Sequence, residues 1–108
     1  MPNTNQLYPI FLKANRLNIL IVGGGTVAFE KLSFLLKSSP NAKVELVALD
    51  FDEKTRNLAR RFSIPLFQKS YHEIDVIDRD LVIGATNHGP INLRIHRDVK
   101  RNRGLVNI

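Results

Sequence analysis

The chain has 108 residues, of which 44% are hydrophobic, with 16 Lys and Arg against 10 Asp and Glu for a net charge of +6. That length holds one domain with its own core, but it is small for an enzyme that must grip both a large cofactor and a substrate. The lack of cysteine excludes a disulfide framework, a thiolate metal site and a cysteine nucleophile within this sequence and fits a cytoplasmic protein, while no apolar stretch reaches membrane-spanning length and the polar residues 1–6 hold no signal-peptide core.

In chain order, residues 1–6 read as a flexible tail and 7–108 as one folded domain. Residues 8–12 (YPIFL) form a short apolar piece that Pro9 suits to an edge or irregular strand. Residues 17–22 are nearly all apolar, as a parallel strand covered on both faces is. After Gly23, Gly24 and Gly25 the pattern becomes helical over 26–37, with Val27, Leu32, Leu35 and Leu36 on one face and Glu30, Lys31 and Lys37 turned to water. Pro40 and Asn41 lie in the break that follows, and residues 43–49 (KVELVAL) give a second strand. Residues 52–62 form a helix with Thr55, Leu58, Ala59 and Phe62 inward and Asp50 or Asp52 as its cap.

Strands are expected at 64–68, 81–85 and 105–108, with a helix at 90–102. Pro90 suits its first turn, Ile91, Ile95 and Val99 make its core stripe, and Gly104 suits its exit. The alternation of strand and helix predicts a Rossmann-like doubly wound parallel sheet, three layers α/β/α, with right-handed crossovers. Ligands of such sheets lie at the carboxyl ends of the strands.

The junction LNILIVGGGTVAFE therefore predicts a dinucleotide site. A pyrophosphate must lie against bare backbone, so Gly23 permits the turn, Gly25 lets the chain approach the phosphates, Ala28 lets the helix pack closely on the strand, and Gly24 is the permissive middle position. The new helix offers unpaired N–H groups and its positive end to the anion. Asp50, after the second strand, is placed either to accept from the ribose hydroxyls, which favours NAD, or to cap the next helix. Nearby Lys54 and Arg56 are candidates to meet a 2′-phosphate instead. Ala85 and Thr86, at the exit of the fourth strand, are expected to pass under the nicotinamide half.

His88 has the side chain for proton transfer, but with no partner evident it reads better as a solvated loop histidine. His72, His88 and His96 have no metal-like spacing, so no metal site is expected. Between residues 94 and 103, Arg94, Arg97, Lys100, Arg101 and Arg103 stand against Asp98 alone. This basic run reads first as a solvated face and otherwise as a surface for a polyanion. Nucleic acid is not expected as a partner, because no aromatic stacking platform or reading motif accompanies the charge.

Several separated segments agree with one family. YPIFL, ILIVGGGTVAFEKLSFLL, IPLFQKSY, DLVIGATNHGPINLRI and GLVNI resemble, in that order, the dinucleotide-binding domain of the siroheme synthase family, whose members are precorrin-2 dehydrogenases often joined to a sirohydrochlorin ferrochelatase. The resemblance implies that NAD⁺ takes a hydride from precorrin-2 to give sirohydrochlorin, and that in bifunctional members Fe²⁺ then enters the macrocycle. Carried over by position, it implies that Gly23, Gly24, Gly25, Thr26 and Val27 hold the pyrophosphate while Asp50, Ala85, Thr86 and Asn107 lie along the cofactor. Asn87 and His88 replace a usually acidic pair. In the family the segment like GLVNI runs into an aspartate that serves the chemistry and then into a helical part for dimerisation and substrate binding. The present sequence is accordingly expected to bind NAD without turning over precorrin-2, in a parent that is a cytoplasmic homodimer. No catalytic residue is assigned within it. The basic helix would gain a purpose in attracting the many carboxylates of the macrocycle. A competing expectation is a regulatory nucleotide-binding module gating a transporter or partner protein, which leaves YPIFL and the closing segment without explanation.

Overall fold

The computed structural model describes residues 17–107; the expectations for residues 1–6, for the strand at 8–12 and for Ile108 fall outside the described residues. Strands β1 (Asn18–Val22), β2 (Lys43–Ala48), β3 (Leu66–Gln68), β4 (Leu81–Gly84) and β5 (Leu105–Asn107) alternate with helices α1 (Thr26–Ser38), α2 (Glu53–Arg61) and α3 (Gly89–Arg101) and with a 3₁₀ turn at Glu73–Val76. All strand pairs are parallel and the order is β3-β2-β1-β4-β5. The chain therefore winds outward from β1 in one direction and then restarts at β4 on the other side. The crevice between β1 and β4 is the switch point at which such sheets take their ligands.

Strand alternation sends Ile19 and Ile21 to one face, where they are buried with Ala28, Leu32, Leu35 and Leu36 of α1 and Ala59 of α2. Leu20 and Val22 enter the opposite cluster with Val82 of β4, Val76 of the 3₁₀ turn, and Ile95 and Val99 of α3. The three-layer expectation is met. Full burial of a leucine such as Leu32 contributes about 2 kcal/mol. Val27 departs from the predicted stripe: it is 42% exposed, and Ala28 is fully buried in its place. One residue is a 100° step around a helix, so the small side chain closes on the sheet and the branched one turns to the rim.

Helices α2 and α3 both end on left-handed residues that are not glycine, Ser63 (φ 56°) and Arg103 (φ 61°). The exit assigned to Gly104 is thus made by Arg103. Gly104 serves close approach instead, since a Cβ there would lie 3.1 Å from Val99 Cγ1 and 3.2 Å from the Arg79 carbonyl oxygen.

The basic helix is only partly a solvated face. Asp98, almost fully buried, accepts from the Tyr71 hydroxyl at 2.7 Å and from Arg101 Nη2 at 2.8 Å. Arg101 also bridges to Glu73, and Arg94 stacks over the Tyr71 ring while donating to its carbonyl. Burial, and then the bond to Asp98, push the Tyr71 hydroxyl well above its ordinary pKa of 10.0. Two cations of the run therefore stitch α3 to the connection before β4, while Arg97, Lys100 and Arg103 face water.

Candidate functional site

The carboxyl ends of β1, β2 and β4 meet at the glycine turn. Gly23 donates its N–H to Val47 of β2 at 2.8 Å, and Ala85 donates to Val22 of β1 at 2.8 Å, so the turn is held between its two neighbouring strands. Gly23 has φ 141°, and a Cβ on it would lie 2.3 Å from the Ala85 carbonyl oxygen. Both the torsion and the contact require glycine.

Gly24 is not the permissive position that its place in the triplet suggests. A Cβ there would fall 2.0 Å from the carbonyl oxygen of Asp50, and the Gly24 carbonyl accepts from Asp52 N–H at 2.8 Å. The backbone after β2 presses directly on the turn, and only a residue without a side chain leaves room for it. Gly25 differs from both: among the described residues, a Cβ there would meet nothing within 4 Å, so close packing does not require its missing side chain.

Gly25 is also the N-cap of α1, in an extended conformation (φ −103°), with no side-chain cap and no acidic residue in the first turn. Gly25, Thr26 and Val27 are all exposed. The helix therefore begins without a side-chain cap, with a positive dipole end and, among the described residues, free space at the Gly25 Cβ position, a donor set matched to a pyrophosphate. The outward turn of Val27 belongs to this rim.

The ambiguity over the cap of α2 is resolved by geometry. Asp52 accepts from Thr55 N–H at 3.0 Å and is the N-cap. That backbone bond holds its carboxyl below the ordinary carboxylate range. Asp50 is left with an 85% exposed side chain beside the glycine turn, and Arg56 Nη2 lies 3.5 Å from its Oδ1. Lys54 leans the other way, its Nζ 5.9 Å from the centre of the Phe29 ring on α1.

At the exit of β4, Ala85 is buried against the turn and Thr86 is fixed by Asn92: the Thr86 hydroxyl donates to Asn92 Oδ1 at 2.7 Å, and Asn92 Nδ2 donates to the Thr86 carbonyl at 2.9 Å. Asn92 was not singled out from sequence, although it lies only six residues on. His88 is exposed just before α3, as the solvated-loop reading expects. It also has a structural part: its Nδ1 accepts from Ile91 N–H at 3.3 Å and caps α3. Asn107 is placed by its backbone opposite Ile83, on β5 and farther from the turn than the other predicted residues. Gly23, Gly24, Gly25, Thr26, Val27, Asp50, Ala85 and Thr86 are thus gathered at one end of the sheet, with Asn107 at its flank.

A cavity of about 400 Å³ lies at the opposite, amino-terminal edge, among Asn18, Lys43, Glu45, Ser63 and Pro65. Its position away from the strand carboxyl ends separates it from the glycine turn. Among the described residues, no group of three or more His, Cys, Asp or Glu is arranged to hold a metal ion, and no helix is long and apolar enough to cross a membrane.

Residues 10–108 match the family described as putative NAD(P)-binding. The siroheme synthase of Pseudoalteromonas atlantica is 35% identical over 103 residues, covering 95% of this chain and 22% of that protein. The siroheme synthase of Acinetobacter baylyi is 33% identical over 104 residues, covering 94% and 22%. Among solved structures, SirC, a precorrin-2 dehydrogenase, superposes with a TM-score of 0.69 at 25% identity, over 85% of this chain and 44% of that one. The chain spans about a fifth of the length of these siroheme synthases. With the glycine turn, the parallel sheet and the matched residues in agreement, the chain belongs to the putative NAD(P)-binding family and is related along most of its length to siroheme synthases.

Proposed function

We propose that the chain is the cofactor domain of an NAD-dependent precorrin-2 dehydrogenase that acts in siroheme biosynthesis in the cytoplasm. One observation carries the reading: α1 begins at Gly25 with no side-chain cap, and no described residue lies where a Gly25 side chain would stand, in a chain that resembles siroheme synthases over 95% of its length. When bound, NAD⁺ supplies the two-electron oxidant, and conversion of precorrin-2 to sirohydrochlorin releases one proton besides the hydride equivalent.

The residues divide that work. Backbone N–H groups from Gly25 to Val27 hold the pyrophosphate, with Gly23 and Gly24 keeping the turn flat enough for it to approach. The Asp50 carboxylate accepts from the ribose hydroxyls. Ala85 and Thr86 form the small, hydrogen-bonded floor beyond β4, braced by Asn92, and Asn107 lines the far side. Each of these groups is engaged with the cofactor in this reading, and His88 Nδ1 accepts from Ile91 N–H to cap α3. We therefore assign the proton chemistry and the tetrapyrrole contacts to another part of the full-length enzyme, acting as a homodimer.

Calorimetric titration of the 108-residue protein with NAD⁺, beside an absorbance assay with precorrin-2, tests this. Saturable NAD⁺ binding without precorrin-2 oxidation is expected. Absence of NAD⁺ binding would overturn the cofactor reading, and turnover by this chain alone would overturn the placement of the proton chemistry.

A further inference from the structure

The cavity at the amino-terminal edge of the sheet has a cause in the topology. Val44 and Leu46 of β2 pack beneath α1 and α2, so strand alternation gives Lys43 and Glu45 to the other face with Val47. On that face the connection from β3 to β4 supplies a single 3₁₀ turn where a parallel crossover ordinarily carries a helix. A space of about 400 Å³ remains at the strand starts, reaching round to the end of α2. A void of about 150 Å³ holds benzene, so this one has room for a ring and a polar substituent.

Its polar groups divide into committed and uncommitted ones. Asn18 Oδ1 accepts from Arg79 Nη1 at 3.0 Å, and its Nδ2 donates to the Asp78 carbonyl at 3.1 Å. Glu45 is paired with Arg79 at 2.8 Å. The Lys43 ammonium and the Ser63 hydroxyl, by contrast, have no hydrogen-bond or ion-pair partner among the described residues. Ser63 also stands in the left-handed region at φ 56°, so a hydroxyl is kept where glycine would sit with less strain. The rest of the wall is apolar, from Val44, Ile64 and Pro65 to the half-buried Phe62, whose ring centre lies 5.6 Å from the Arg61 guanidinium.

We propose that this cavity is a second ligand site, separate from the glycine turn, for a small carboxylate carried on an aromatic body. A carboxylate only accepts, which matches a lining whose uncommitted groups donate. Lys43 supplies a charge-assisted bond and Ser63 a directional one, while the ring buries apolar surface against Pro65 and Phe62. Glu45 opposes an anion, but Arg79 offsets its charge. The last turns of α1 and α2 bring Lys37, Arg60 and Arg61 to the same edge and make the local field positive.

Titration of the 108-residue protein with phenylacetate, followed by amide NMR shifts, tests this. Saturable shifts are expected at Lys43, Val44, Ser63 and Ile64, with Gly24 to Val27 unmoved, and saturating NAD⁺ should leave the probe affinity unchanged. Phenylacetamide, which lacks the charge, and acetate, which lacks the ring, should each bind about tenfold more weakly or worse. Lys43→Gln should weaken phenylacetate about tenfold, and Ser63→Gly, which relaxes the backbone, severalfold, each with an undiminished melting temperature. Absent shifts, shifts confined to the glycine turn, phenylacetamide or phenethylamine binding as tightly as phenylacetate, or an unchanged affinity in Lys43→Gln would each overturn the proposal. The probe carries no nucleotide, so these outcomes stand apart from the dinucleotide reading.

Discussion

Helices α1 and α2 pack on the same face of the sheet and begin close together, yet their amino-terminal ends are built in opposite ways. At α2, Asp52 accepts from Thr55 N–H and Glu53 adds a negative charge to the first turn. At α1, Gly25 brings no acceptor, the first turn holds no acidic residue, and no described residue lies within 4 Å of where a Gly25 Cβ would be. On the other face α3 is closed as well, by His88. Every helix has the same unpaired donors at its start, so the one whose own sequence leaves them open is the one able to receive an anion. The difference turns on whether one residue at the start of the helix carries a capping side chain or none.

The sharpest probe of this contrast is a pair of neighbouring substitutions. Gly24→Ala drives a Cβ into the Asp50 carbonyl and should lower unfolding stability by about 3 kcal/mol in denaturant titration. Gly25→Ala, one residue later, should cost only about 0.5–1 kcal/mol, the disadvantage of Ala against Gly at an N-cap, because that Cβ meets no described residue. Equal losses at the two positions would break the distinction between a fold glycine and a ligand glycine.

Gly25→Asp goes further and turns α1 into a helix of the α2 kind. NAD⁺ affinity should fall about 100-fold, or about 2.7 kcal/mol, by calorimetry. Folding stability should rise by only a few tenths of a kcal/mol, the usual advantage of Asp over Gly at an N-cap. The converse change, Asp52→Ala, should cost about 1 kcal/mol of stability. Because the Asp52 carboxyl is held below its ordinary value of 3.8 in the folded state, the stability it supplies is present above that value and is lost as pH falls through the depressed one. Acid titration of the variant should lack this component. The smallest effect is expected at α3, where His88→Ala should cost about 0.5 kcal/mol at neutral pH, read from the thermal midpoint.

The features legible in sequence were those written locally. The run from Leu17 to Val22, the triplet of glycines and the stripe of Leu32, Leu35 and Leu36 are patterns within a few residues, and each appears in the fold. What escaped was set by distant partners. Gly24 gains its importance from the carbonyl of Asp50, and Asp98 is buried because Tyr71 reaches it across 27 residues. Asp50 and Asp52 stand equally well as caps in a linear reading, and only the direction of the chain leaving β2 separates them. Val27 was misplaced for a subtler reason, since it lies at the margin of a stripe whose centre is Ala28.

The ties around the turn carry one more consequence, for the entropy of binding. Gly23 is bonded to Val47, Gly24 to Asp52 and Ala85 to Val22, so the segment that would embrace a phosphate is ordered by the sheet itself. A ligand arriving there meets a preorganised cradle, and the cost of immobilising a loop is largely absent. Amide exchange should register this: the Gly23 and Asp52 protons should exchange at the slow rate of whole-domain opening, while the unbonded amides at the start of α1 exchange freely until the cofactor covers them.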